Sequence, residues 1–287
     1  MSFSVSCLYV RRTGTILAYV VVYVDDMVVI TETEEEFLQI YKGLQQKFSV
    51  NNLGDIKNFL GMEVERGPDG YKLSQQQYIS KLTERFGLAD AKPSKIPLDP
   101  AYLQQKEEEE HIKLPNNTDY MSLLGGLLYV AVHTRPDIAV STSILAQKSS
   151  APTQMDWQEA KRVLRYLKST SGHKLALEPK SNHLELFVDA DWACDQRNRK
   201  SNSGVLVFLG GALISWISRK QSCVALSSTE AEFIAMTEGC QELCWILKLM
   251  VDVGVQVPQP VPVYEDNQSC IKLVQKGKNE RRTKHLT

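Results

Sequence analysis

The chain has no C-x-x-C pair and no histidine at zinc-ligand spacing from its six cysteines, Cys7, Cys194, Cys223, Cys240, Cys244 and Cys270. Neither a thiolate zinc site nor a disulfide framework is therefore expected, and the usage suits a reducing, intracellular compartment. Cys240 and Cys244 sit four apart in an apolar helical pattern and read as core thiols. Also lacking is any apolar run of the roughly 20 residues that a membrane span takes, so no membrane partner is expected. Arg11-Arg12 followed by Ile16 to Val24 mimics the start of a secretory leader, but Asp25-Asp26 stands where a small-residue cleavage site belongs. No charge of one sign dominates: 33 Lys and Arg face 34 Asp and Glu. A globally basic nucleic-acid coat is excluded, whereas a local basic patch is not.

What is present suits a folded chain of about two domains: 287 residues, 43% hydrophobic and 23% charged. Thr15–Val24 and Met27–Ile30 are apolar runs around a short polar break, which predicts a β-hairpin. Their near-continuous apolarity predicts burial on both faces. Glu34–Phe48 has helical spacing with acids in its first turn. A second hairpin is expected over Phe59–Glu65 and Tyr71–Leu73 around Gly67-Pro68-Asp69-Gly70, then a helix over Gln76–Phe86 ended by Gly87. From Lys92 to Pro115 the pattern dissolves into prolines and the acidic run Lys106–Glu110, read as a solvated connector. Helical patterns resume at Tyr120–Val132, Pro136–Lys148 and Gln154–Lys168, and Ser169–His173 reads as a linker.

The last third changes rhythm. Strands are expected at Leu184–Val188, Gly204–Leu209 and Ala212–Ser218, the last two joined at Gly210-Gly211. A long helix follows from about Thr229 to Met250, with Phe233, Met236, Cys240, Leu243, Cys244, Leu247 and Met250 on one face. Val261–Tyr264 is a strand and Gln268–Gln275 a helix. The order β-β-β-α-β-α mixes hairpins with a crossover and calls for a mixed sheet with helices packed on it. Trp192, Trp216 and Trp245 are read as core residues by their strand and helix placement.

Carboxylates mark the ends of these elements: Asp189 after the first strand, Glu230 or Glu232 early in the long helix, Asp266 after the fourth strand. If the first and fourth strands are parallel neighbours, both aspartates emerge at one sheet edge, where such sheets place their ligand sites. Converging carboxylates repel unless a cation neutralises them, and hard oxygen ligands suit Mg2+ or Mn2+. Each residue also has a plainer role: Asp189 and Asp191 as polar strand ends, Asp266-Asn267 as a helix cap, Ser227 and Glu230 as a capping box. Thr229 to Glu232 fits the same capping template, so spacing alone does not choose between Glu230 and Glu232.

Several segments resemble the ribonuclease H domain of copia-type LTR retrotransposon Pol polyproteins. They are Phe187-Val188-Asp189-Ala190-Asp191-Trp192-Ala193, Leu226-Ser227-Ser228-Thr229-Glu230-Ala231-Glu232-Phe233 and Tyr264-Glu265-Asp266-Asn267-Gln268-Ser269, with Arg199–Gly204 and Ile214–Gln221 in the same pattern. The family's Ala-Glu step matches Ala231-Glu232. The resemblance implies Asp189, Glu232 and Asp266 as metal ligands, Glu230 as cap, and two-metal hydrolysis of the RNA strand of an RNA–DNA hybrid. At the front, Tyr23-Val24-Asp25-Asp26 is similar to the reverse transcriptase catalytic hairpin, although paired aspartates are also ordinary turn residues. Asn52–Asp55, Leu60–Val64, Tyr120–Gly125, Thr134–Ile138 and Ala160–Lys168 extend the likeness over nearly the whole chain.

The resemblance implies an α/β chain with an α+β front half. Residues 1–91 would be a palm and thumb remnant, 92–180 a linker and helical connection, and 181–287 a mixed-sheet ribonuclease H-like domain. The family's further palm aspartate and its fingers lie before the hairpin, and Thr283–Thr287 looks like a Lys-His-Ile-Asp stretch cut short before a fourth carboxylate. On that comparison both active sites are incomplete: polymerase activity from this chain alone is not expected, and a second metal would be held poorly. Arg197, Arg199, Lys200, Lys220 and Lys284 are the candidate phosphate contacts. Implied partners are an RNA–DNA hybrid or other nucleic acid and the rest of the polyprotein; the implied location is cytoplasmic, nuclear or within virus-like particles. A non-catalytic nucleic-acid-binding remnant of a decayed element is the alternative.

Overall fold

The computed structural model describes residues 4–13, 16–103, 112–195 and 198–277. Strand β1 (Leu8–Thr13) pairs antiparallel with β2 (Ile16–Tyr23), and β2 with β3 (Asp26–Thr31). The hairpin is as expected; β1, interrupted by Arg11 and Arg12, lacks the alternation that would announce it. Burial on both faces is not found: among the described side chains of β2 and β3 only Ala18 is buried, and Tyr23, Met27 and Ile30 are exposed. Two covering layers would be needed, whereas the described contacts come from helix α1 (Glu34–Gln45) and from the distant end of a later helix. Thr33 caps α1 by accepting the Glu36 N–H, and Glu34, Glu35 and Glu36 sit where the helix dipole favours acids.

Strands β4 (Asn58–Phe59), β5 (Met62–Arg66) and β6 (Tyr71–Ser74) form the second antiparallel group, followed by α2 (Gln76–Arg85). Gly87, at φ +65°, turns the chain out of that helix. After a short α3 (Pro100–Leu103), the connector's acidic run lies outside the described residues. Three helices follow: α4 (Thr118–His133), α5 (Ala139–Ala146), entered through a 3-10 turn at Pro136–Ile138, and α6 (Gln154–Ser169), started by a Thr153/Asp156 capping box. Ile79 and Leu82 of α2 join Leu123, Leu127, Val130, Leu145, Val163, Leu164 and Leu167 in one buried cluster. Arg135, 2% exposed, locks the α4–α5 corner with bonds to both Asp137 carboxylate oxygens (2.9 and 2.7 Å) and to Thr170 O and Oγ1 (3.0 and 2.6 Å). The expected linker at 169–173 runs into an unforeseen strand, β7 (Leu175–Leu177), which pairs with β6.

The final unit is the mixed sheet. Strands β8 (Leu184–Asp191), β9 (Asn202–Leu209) and β10 (Ala212–Lys220) run antiparallel. Gly210 and Gly211, at φ +54° and +86°, supply the left-handed pair that a tight hairpin turn requires. Helix α7 (Ser228–Asp252) crosses back, and β11 (Val263–Tyr264) adds parallel to β8, giving the order β10-β9-β8-β11 before α8 (Gln268–Lys276). Leu184, Leu186 and Val188 alternate inward on β8 and bury with Val205, Val207, Leu243 and Ile246.

The most deeply buried apolar stripe of α7 is Ala231, Ala235, Gly239, Leu243 and Ile246, while Met236, Cys240, Leu247 and Met250 of the bulkier expected face pack, half-buried, against the same core. A Cβ on Gly239 would lie 2.6 Å from Val188 Cγ1, so close approach to β8 selects small residues. Cys240 is half-buried and packs against the core, as expected, whereas Cys244 is exposed, which corrects its reading as a core thiol; all six cysteines are free. Two tryptophans also lie outside the core. Trp192 is 44% exposed, tied by its Nε1 to Ala225 O at 3.1 Å, and Trp245 is 43% exposed on the outer side of α7. Trp216 is half-buried and donates to Ala131 O at 2.8 Å, linking β10 to α4. Among the described residues no helix is long and apolar enough to cross a membrane.

Candidate metal centre

Asp189 stands near the end of β8, and Asp266 lies just past β11, on the loop into α8. Because β11 is the parallel neighbour of β8, both side chains reach the same edge of the sheet. Glu232 comes to that edge from the first turns of α7. The carboxylate oxygens of Asp189, Glu232 and Asp266 lie within 4.8 Å of one another.

The two helix glutamates differ in their hydrogen bonding. Ser227 Oγ accepts the Glu230 N–H at 3.2 Å, and Glu230 Oε2 accepts the Leu226 N–H at 2.7 Å, so Glu230 is spent on the helix terminus. Glu232, two residues on, projects about 200° further round the helix at 3.6 residues per turn. It is 6% exposed, and its Oε2 is buried without a hydrogen-bond partner. Capping α8 falls to Asn267, whose Oδ1 accepts the Cys270 N–H at 2.9 Å, which leaves Asp266 unused as a cap.

The electrostatics follow from this crowding. The Glu232 carboxyl is pushed up to about 7, first by burial and then by the charges of Glu265, Asp189 and Asp266, with only the Ala190 backbone opposing. Burial, with Asp189 nearby, raises Asp191 as well. Glu265 is not singled out by the sequence: burial raises its carboxyl, Asp266 and Asp189 add to the shift, and its Oε2 is buried and unpartnered. Its only sequence signal is adjacency to Asp266. Beneath, the fully buried Cys270 thiol is raised to about 12 by burial and by Glu265 and Glu232. An orphaned buried oxygen among acidic neighbours, all hard oxygen donors, fits a divalent cation of the Mg2+ or Mn2+ type.

Asp25 and Asp26 are exposed at the β2–β3 turn, where Tyr23 pairs with Asp26 across Val24-Asp25. Val24, at φ +52°, takes a conformation costly for a β-branched residue. Among the described residues no third His, Cys or carboxylate gathers with this pair into a ligand group. Of the candidate phosphate contacts, Arg199 sits over the Trp192 ring at 6.0 Å, Lys200 donates to Ser222 O, and Lys220 is ion-paired with Asp195. Arg197 and Lys284 lie outside the described residues.

The chain thus combines a mixed sheet with acidic residues converging at its edge and, earlier in the sequence, a hairpin bearing paired aspartates. The reverse transcriptase (RNA-dependent DNA polymerase) family profile matches residues 2–100. The retrovirus-related Pol polyprotein from transposon RE2 of Arabidopsis thaliana is 37% identical over 99% of this chain, which covers 19% of that protein. The uncharacterized mitochondrial protein AtMg00810 of the same plant is 35% identical over 79% of this chain and 93% of its own length. A solved foamy viral protease-reverse transcriptase in complex with dsDNA aligns with a TM-score of 0.46 at 17% identity, covering 93% of this chain and 51% of that one. The chain belongs to the copia-type retrotransposon Pol family and spans about a fifth of the RE2 polyprotein. Its α/β architecture with a mixed sheet is the fold class expected from the sequence.

Proposed function

We propose that the mixed-sheet unit is a ribonuclease H-like nuclease module that cleaves the RNA strand of an RNA–DNA hybrid. The observation that carries this reading is the convergence of Asp189, Glu232 and Asp266 within 4.8 Å, with a buried Glu232 oxygen left unpaired. These three residues would hold Mg2+ or Mn2+. Bound there, divalent cations supply activation of water and charge stabilisation for phosphodiester hydrolysis. The chain's own part is to preset the acidic edge: β8 and β11 align the aspartates, and burial on α7 restrains Glu232. Arg199, stacked on Trp192 beside β8, and Lys200 offer phosphate contacts, so hybrid affinity should fall with salt.

In this reading residues 1–91 are the palm and thumb part, 92–180 the connection and 181–287 the nuclease. Asp25 and Asp26 belong to the RNA-directed polymerase centre of the longer polyprotein. The test is Mg2+-dependent cleavage of a labelled hybrid by the purified chain. Asp189→Asn and Glu232→Gln should abolish it, while Glu230→Gln should not. Loss through Glu230→Gln alone would mean the wrong glutamate has been assigned. Exposed Trp192 under Arg199 also suits a non-catalytic nucleic-acid-binding role, which hybrid binding indifferent to Mg2+ and to these substitutions would favour.

A further inference from the structure

Gln221, just past the end of β10, is 1% exposed and bonded to the strand and helix that flank the carboxylate cluster. Its Nε2 donates to Ser203 Oγ at 3.1 Å and to Ala231 O at 2.9 Å. Chemistry fixes which end of the amide is which, because the Ala231 carbonyl only accepts and must face the nitrogen. Oε1 is left over, buried with no hydrogen-bond partner. An amide held in the core with one oxygen orphaned asks for a reason, since an apolar side chain of similar size would leave nothing unpaired.

The two acceptors supply that reason. Ala231 O belongs to the peptide unit whose other end is the Glu232 nitrogen, so the bond holds the plane from which Glu232 departs. Ser203 pairs with Ala190 across the β8–β9 ladder, one step from the pair that Asp189 makes with Gly204. The Glu232 carboxyl meets the Ala190 backbone. Gln221, Ala231, Glu232, Ala190 and Ser203 thus close a ring that spans α7, β8 and β9. Gln221 is anchored through its own backbone as well, its N–H donating to Ser201 O at 2.8 Å. The stripe that α7 lays on β8 begins with Ala231, Ala235 and Gly239, and such small side chains interlock too little to set the rotation of the helix.

We propose that Gln221 is a positioning residue for Glu232: its amide pins the first turn of α7 to β9 and so sets the reach of the Glu232 carboxylate towards Asp189 and Asp266. This rests on the cation-binding reading of that cluster. Gln221 touches neither cation nor substrate and acts only through the Ala231 peptide and Ser203. Partners at this remove tune metal affinity or activity by about 10–100-fold, because a ligand held loosely gives up part of its binding energy to ordering.

The experiment is calorimetric Mn2+ titration of the full chain, with urea denaturation and steady-state hybrid cleavage measured alongside. Gln221→Met combined with Ser203→Ala removes donor and acceptor together, so stability should change little. Mn2+ affinity should nevertheless fall about 10–100-fold, and kcat with it, while KM for the hybrid holds. Gln221→Asn, one methylene too short to reach both acceptors, should shift affinity in the same direction by less, and serves if the double variant fails to fold. A purely structural role predicts the opposite pattern, lower stability with Mn2+ affinity unaltered. That pattern, or unaltered affinity in both variants at any stability, would overturn the proposal while leaving the three-carboxylate site standing. No Mn2+ uptake by the wild type would overturn that site and the role of Gln221 with it.

Discussion

Asp189 and Asp266 each lie two residues beyond the same register pair, Phe187 opposite Tyr264 across the parallel β8–β11 contact. Two aspartates 77 positions apart in sequence thus leave the sheet side by side. The aromatic pair stacks at 4.5 Å between ring centroids and fixes the register that aligns them. The candidate centre is therefore a consequence of strand pairing, with Glu232 brought in by the α7 crossover.

Stability should depend on pH through Glu232. Its folded-state value, about 7, lies above the ordinary 4.5, so the folded chain holds a proton that the unfolded chain has lost between these values. The contribution is complete below about pH 4.5 and is lost as pH rises through 7. In chelator, thermal melts should show this decline, and Glu232→Gln should flatten it. Saturating Mg2+ should flatten it too, because a bound cation neutralises the carboxylate. A wild-type melt in chelator that does not fall across this window would contradict the assignment.

Removal of the α7 cap should affect folding and spare the cation site. Ser227→Ala is expected to cost about 1 kcal/mol by leaving the Glu230 N–H unsatisfied. Urea denaturation gives the loss, and Mn2+ affinity measured alongside should be unaltered.

Gly239 should resist even a methyl group. A Cβ at this position would meet Val188 Cγ1 at 2.6 Å and Leu186 Cδ1 at 3.1 Å, on the strand that carries Asp189. Gly239→Ala gains helix propensity of up to about 1 kcal/mol, against an overpacking cost of about 1–3 kcal/mol. The expected outcome is net destabilisation together with weaker Mn2+ binding, as β8 is pushed away from α7.

Arg135 should behave as a structural tie. Arg135→Met leaves Asp137 and Thr170 O without their guanidinium donor, and breaking such a pair costs up to about 3–5 kcal/mol when fully buried. Asp137 is partly open to solvent, so a loss near the lower end is expected in denaturant titrations. Equal stability of the variant would show the corner to be held by the apolar cluster alone.

Long elements are legible in the sequence because periodicity accumulates over many residues. The cap of α1, the Gly210-Gly211 turn and the length of α7 each depend on a few local atoms that their own residues supply. Strands β4, β7 and β11 have two or three residues each, too few to show a period; only β11 is anticipated, from the apolar run before Glu265-Asp266. The small-residue stripe of α7 escapes the sequence for another reason. Hydropathy favours Met236 and Cys244 over Gly239 and Ala235, but the spacing between helix and strand is set by what fits.

From the sequence alone came the class of fold, the three carboxylates as candidates, and the choice of Glu232 by resemblance, since local propensity and motif are properties of neighbouring residues. Tertiary structure decided that Asp189, Glu232 and Asp266 meet, that Glu230 is consumed by a backbone N–H, and that Glu265 stands beside them. Those outcomes depend on the pairing of β11 with β8 and on the rotation of α7 over the sheet. Both are set by packing between segments far apart in the chain, where no local pattern reaches.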